Sequence, residues 1–184
     1  SDKLKLYDLY FEALREAHAG QALDIAGFDN IPTPQHLEHN ILAIYRLKTS
    51  APVACLARMG AVAGGGSEAQ IEAIGNYFEK IGTAFQIVDD VLNLRGFEGN
   101  LKILGEDISS GKITLPVAKA LGKLNPADSS KLLGLVKSKS TDHEHISYAI
   151  QLMESCGALD ACMKEAYTLV DSAWKELDPI LEPT

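Results

Sequence analysis

Long apolar runs are missing from this chain of 184 residues: none approaches the ~18 residues that a membrane-spanning helix needs. The N-terminal Ser1-Asp2-Lys3 does not open a signal peptide. Positive charge is also scarce, with 17 Lys and Arg against 25 Asp and Glu and a net charge of −8. That balance argues against nucleic acid and anionic membrane surfaces as partners. Cysteine is rare and odd in number. Cys55, Cys156 and Cys162 lie among apolar residues at no zinc-like spacing, so they read as reduced core thiols of a cytoplasmic protein. The histidines (His18, His36, His39, His143, His145) form no metal-ligand pattern and are expected in solvent. No stretch alternates with a period of two for long, which removes strands, and no repeat or low-complexity tract is present.

What remains is ordinary globular composition, 46% hydrophobic and 23% charged. Apolar residues recur at three and four along most of the chain, so the fold class is all-α, with residues 1–184 as a single domain. The spacing predicts helices over residues 3–26, 36–62 and 68–94. Thr33-Pro34 and Asn125-Pro126 are start signals, Thr141 with Glu144 reads as a capping box, and Gly64-Gly65-Gly66 and Gly157 are breaks. Residues 95–112, with four glycines and scattered charge, read as a long loop. After residue 115 the pattern is one of packing: Ile146, Ala149, Ile150 and Met153 form one stripe, and Leu159, Met163, Ala166 and Val170 another. Trp174 is expected in the core.

The helix over residues 68–94 carries chemistry. Ile71, Ile74, Phe78, Ile81, Phe85, Val88 and Leu92 step by three and four as an apolar face, which Tyr77, Ala84, Ile87, Val91 and Leu94 widen until most of the circumference is apolar. One line differs: Gly82, Gln86, Asp89 with Asp90 beside it, and Asn93. Adjacent buried carboxylates need a cation or hydrogen bonds, whereas a helix end reaching solvent would need neither. Oxygen donors without His or Cys point to Mg2+, typically shared with substrate phosphates.

A second feature lies in Arg46-Leu47-Lys48-Thr49-Ser50-Ala51-Pro52. Pro52 cannot donate to the carbonyl four residues back, which is that of Lys48. Carbonyl, hydroxyl and ammonium on one turn could face one cavity; a kink made for packing, with Lys48 in solvent, fits these residues equally. The following loop adds Lys102, Asp107 and Lys112, whose lysines could close over phosphates or simply be solvated.

Together these segments resemble the trans-isoprenyl (polyprenyl) diphosphate synthases. Phe85-Gln86-Ile87-Val88-Asp89-Asp90-Val91-Leu92-Asn93 is similar to the family's second aspartate-rich motif, and Gly105-Glu106-Asp107 with Gly111-Lys112-Ile113-Thr114-Leu115-Pro116 to the segment after it. Lys48-Thr49 matches its lysine–threonine pair on a kinked helix, and Gly20-Gln21-Ala22-Leu23-Asp24 its earlier Gly-Gln-x-x-Asp. The motifs run in order from residue 20 to 116 and correspond to the C-terminal half of the family's pattern, of geranylgeranyl or farnesyl diphosphate synthase type.

The resemblance implies a helical bundle of the isoprenoid synthase type around a deep apolar cavity, dimeric in the full-length protein. It implies a Mg2+-dependent head-to-tail condensation of an allylic diphosphate with isopentenyl diphosphate. By the same resemblance Asp89 ligates Mg2+ with Asp90 in support, Asp24 orients metal from the opposite wall, and Asn93 and Asp107 complete the metal-facing oxygens. Lys48, Lys102 and Lys112 hold the allylic diphosphate, while Thr49, Gln86 and the Lys48 carbonyl face the developing cation. Asn93 stands where many members have an aspartate; geranylgeranyl-type members also carry it, which disfavours a simple farnesyl-type assignment. Nothing resembles the first aspartate-rich motif, so the chain by itself is expected to be inactive. A non-catalytic partner subunit of a heteromeric synthase is the alternative.

Overall fold

The computed structural model describes residues 2–28, 33–96 and 104–181, and every regular element in them is helical. In chain order they are α1 (Asp2–Ala26), α2 (Pro34–Tyr45), a π-helical turn (Arg46–Ser50), α3 (Ala51–Ala63), α4 (Glu68–Arg95), α5 (Glu106–Ser110), α6 (Leu115–Lys123), α7 (Pro126–Lys137), α8 (His143–Ser155), α9 (Ala158–Leu177) and a 3-10 turn (Asp178–Ile180). The all-α class holds. No helix among the described residues is long and apolar enough to cross a membrane.

Helix starts follow local chemistry. Thr33 precedes Pro34 as expected, and Asn125 caps α7 by accepting the Asp128 amide at 2.9 Å. At α8 the cap is Asp142 rather than Thr141: the Asp142 carboxylate accepts the Glu144 amide at 2.9 Å, and a carboxylate at a helix N-terminus also meets the favourable end of the dipole. Ser67 and Gln70 form a reciprocal capping box at α4 that the sequence reading did not name (2.9 and 3.3 Å). Residues 95–112 are not wholly a loop, since α5 forms within them.

The chain divides into two compact units. Unit 1 is Ser1–Ala26, Leu42–Gln86 and Ala166–Thr184; unit 2 is Gly27–Ile41 and Ile87–Glu165. In unit 1, α1 packs on α3 and on the π-turn, and Ala13, Ala51, Ala54, Cys55 and Ala173 are buried. In unit 2, α6, α7 and α8 pack around Leu115, Leu132, Val136, Ile146, Ala149 and Met153. Lys119 bridges Glu38 at 2.9 Å and Glu165 at 2.8 Å there. Burial works against its charge, but those two carboxylates bring its pKa out above the usual lysine value.

Two burial expectations are corrected. The seven-residue apolar face of α4 is only partly buried: Ile71 is buried but Phe78 is 37% and Phe85 65% exposed, whereas Ala84, Ile87, Val91 and Leu94 are buried. Apolar residues ring most of the helix, so periodicity could not choose the face; Gly75 and Gly82 choose it in unit 1 by letting the backbone approach Arg58 and Ser50. Trp174 is 47% exposed and meets Tyr77 edge-on at 6.0 Å. The histidines are exposed, as expected.

Candidate functional site

In unit 1 the site is built on the π-turn. Its register is set by Ala51, whose amide donates to the Arg46 carbonyl, five residues back instead of four. Pro52, just beyond, has no amide for the Lys48 carbonyl, and a widened turn absorbs that lost bond and the ring's bulk. The sequence predicted a kink; the structure makes it a π-turn.

Glycines flank this turn. A Cβ added at Gly20 of α1 would lie 2.8 Å from the Leu47 Cβ, and one at Gly82 of α4 would lie 2.8 Å from the Ser50 Cα. With backbones this close, the turn presents a fixed set of side chains. The Lys48 ammonium donates to the Asp24 carboxylate at 2.5 Å, both half-buried. The Thr49 hydroxyl donates to the Gln86 side-chain oxygen at 3.2 Å. Ser50, which the sequence reading gave no role, shares a 2.9 Å hydroxyl contact with Thr83. Arg46 reaches Glu16 at 3.5 Å, and with Glu79 and Arg58 it lines a charged cavity of about 280 Å³. That is not the apolar cavity the resemblance implies.

In unit 2 the expected oxygens divide by burial. Asp89 is half-buried, whereas Asp90 is 1% and Asn93 5% exposed. Asn93 organises the loop segment: its backbone carbonyl accepts the Gly105 amide at 2.8 Å and its side-chain oxygen the Asp107 amide at 3.3 Å. The Asp107 carbonyl in turn accepts the Lys112 amide at 2.9 Å. Gly105 and Gly111 bound α5 with φ of 72° and 78°, the left-handed region where glycine is unstrained. Burial, with the negative charges of Glu165, Asp90 and Glu38, pushes the Cys162 thiol up to about 12 against the opposing pull of Lys119. Lys102 lies outside the described residues.

The structure therefore joins Asp24 to Lys48 and Thr49 to Gln86 in unit 1, and Asn93 to Asp107 in unit 2. Among the described residues no group of three or more His, Cys, Asp or Glu gathers to hold a metal. The missed residues are Ser50 and Thr83. Their only signal in the sequence was position, Ser50 beside Lys48-Thr49 and Thr83 three residues before Gln86.

Residues 1–153 match the polyprenyl synthetase family. The chain belongs to that family. It is 35% identical over 164 residues to a short chain isoprenyl diphosphate synthase of Methanothermobacter thermautotrophicus, covering 89% of this chain and 49% of the relative. It is 32% identical to a geranylgeranyl diphosphate synthase of Methanosarcina mazei, covering 95% of this chain and 52% of that one. The crystal structure of geranylgeranyl pyrophosphate synthetase from Pyrococcus horikoshii superposes with a TM-score of 0.86 at 26% identity, over 99% of this chain and 54% of that one. A geranylgeranyl pyrophosphate synthase from Corynebacterium glutamicum, complexed with isoprenyl diphosphate and magnesium, gives 0.85 at 28% identity over 99% and 51%. The chain thus spans about half the length of the relatives it matches.

Proposed function

We propose that the chain forms part of a polyprenyl diphosphate synthase and serves the head-to-tail condensation of an allylic diphosphate with isopentenyl diphosphate. The observation that carries this is the π-turn, which sets Lys48 beside Asp24 and Thr49 against Gln86. An allylic diphosphate leaving as an anion needs a cation at the leaving group and neutral oxygens at the carbon. Lys48 supplies a compact positive charge that exchanges Asp24 for the diphosphate, with Lys112 and Lys102 as further cations. Thr49 and Gln86 offer uncharged oxygens that stabilise an allylic cation without capturing it.

Asp89 and Asp90 suit a hard cation through oxygen alone. Mg2+ is commonly held by one or two carboxylates with phosphates and water completing its shell, and these two residues fit such a partial set. When bound, Mg2+ offsets the charge of the departing diphosphate. Asp89 would be the direct donor, with the buried Asp90 behind it. Asn93 and Asp107 act through the loop segment they tie down, and Asp24 acts through Lys48. The magnesium in the Corynebacterium relative supports this reading. The buried, unpaired thiols Cys55 and Cys162 support a cytoplasmic location, and the family resemblance a homodimer of the full-length protein.

The test is Asp89→Ala in the full-length protein, with labelled isopentenyl diphosphate and a short allylic diphosphate. Chain elongation is expected to fall on the order of a hundredfold or more with circular dichroism unchanged. Undiminished turnover refutes the assignment. The 184 residues by themselves are expected to elongate nothing, because their sequence holds no first aspartate-rich motif.

A further inference from the structure

We propose that the hydroxyl pair of buried Ser50 and half-buried Thr83 is a register lock: it holds the π-turn out of step with the helices on either side and so fixes where Lys48 and Thr49 point. This positioning role rests on the prenyl-transfer reading above. Ser50 is 0% exposed, so it touches no substrate itself. Its hydroxyl lies 2.9 Å from the Thr83 hydroxyl and 3.4 Å from the Tyr45 carbonyl. The Thr83 hydroxyl also lies 3.2 Å from the Glu79 carbonyl, so the two protons serve the shared contact and one of the two carbonyls, with either hydroxyl as the donor between them. The result is a hydrogen-bonded link between the backbone before the turn, at Tyr45, and the backbone of α4, at Glu79.

One helical turn further along α4, Gln86 accepts from Thr49 at 3.2 Å. Neighbouring residues of the π-turn are thus tied to positions three apart on α4. Both ties can hold in one register only. If the turn relaxed to α-helical pairing, the Ala51 amide would move from the Arg46 carbonyl to that of Leu47, and the intervening side chains would rotate by up to ~100°. Gly82 makes the lock close, since a Cβ there would sit 2.8 Å from the Ser50 Cα. Because Ser50 is sealed from solvent, water does not replace a lost partner.

The experiment is a set of variants in the full-length protein: Thr83→Val, which keeps the shape and removes the hydroxyl, Thr83→Ser, Ser50→Ala, and the double Ser50→Ala/Thr83→Val. Steady-state elongation is measured with the allylic diphosphate and isopentenyl diphosphate varied in turn. Thr83→Val and Ser50→Ala are each expected to lower kcat about tenfold with the KM for isopentenyl diphosphate unchanged. Thr83→Ser restores kcat, and the double variant is no worse than either single one. Wild-type kcat in Thr83→Val, failure of Thr83→Ser to rescue, or losses that multiply in the double variant overturn the lock. An inactive wild type refutes the prenyl-transfer reading alone; amide exchange over residues 46–51 then decides the lock, which predicts faster exchange in Thr83→Val and is overturned by no change.

Discussion

Among the described residues the largest fully buried side chains lie in unit 2 rather than unit 1. Around the π-turn unit 1 buries Ala13, Ala51, Ala54 and Ala84 along with the larger Ile44 and Tyr45, and Gly20 and Gly82 bring backbones to the turn. In unit 2 large side chains are fully buried, among them Leu37, Ile41, Ile87, Leu115, Leu132, Met153 and Leu159, beside small ones such as Ala118, Ala120 and Ala149. Small-residue contacts leave a neighbour no room to yield, whereas interlocked large side chains can repack around a change. The turn that carries Lys48 and Thr49 is closely approached at Gly20 and Gly82 and tied to α4 by two side-chain contacts, Ser50 to Thr83 and Thr49 to Gln86. The segment that carries Asp107 and Lys112 is placed by hydrogen bonds from Asn93 and by two left-handed glycines.

That contrast can be broken by substitution. The largest effect on stability is expected from Gly20→Ala, because the added methyl meets the Leu47 Cβ and the backbone behind it rather than a flexible side-chain end. A loss of about 2 kcal/mol in a denaturant titration checks it, and an unchanged midpoint would show that the turn has slack. Asn93→Ala comes next. It removes the acceptor of the Asp107 amide, with a cost of about 1 kcal/mol and faster amide exchange at residues 105–112. No exchange difference would mean that the segment is held otherwise. The smallest change is Gly60→Ala in α3, where an added Cβ meets nothing within 4 Å. Removing a helix-interior glycine there is expected to raise stability by about 0.5–1 kcal/mol. A loss instead would show that this position of α3 has no room for a methyl group.

Legibility in the sequence follows the same division. Signals carried by adjacent residues read directly: Asn125-Pro126 starts α7, and the stripe through Ile146, Ala149 and Met153 is buried. Where neighbouring residues competed for one role, the choice went to the stronger acceptor, Asp142 over Thr141. The π-turn was legible only as a break at Pro52, because its form also depends on glycines about thirty residues away along the chain in either direction. α5 escaped notice because the group ordering its first residues is a side chain on the preceding helix, Asn93. The pairs Asp24–Lys48 and Thr49–Gln86 contain only residues chosen from the sequence, but the sequence did not say that they pair. Ser50–Thr83 was missed because serine and threonine in helices usually bond their own backbone, and only tertiary packing brings these hydroxyls together.

The central claim is that the π-turn presents Lys48 to a diphosphate. It is tested most directly by Lys48→Ala in the full-length protein, titrated with the allylic diphosphate at saturating isopentenyl diphosphate. The account predicts a KM for the allylic substrate raised about tenfold or more, with the melting temperature within a few degrees of wild type. An unchanged KM would contradict it, and would leave Lys48 as nothing more than the partner of Asp24.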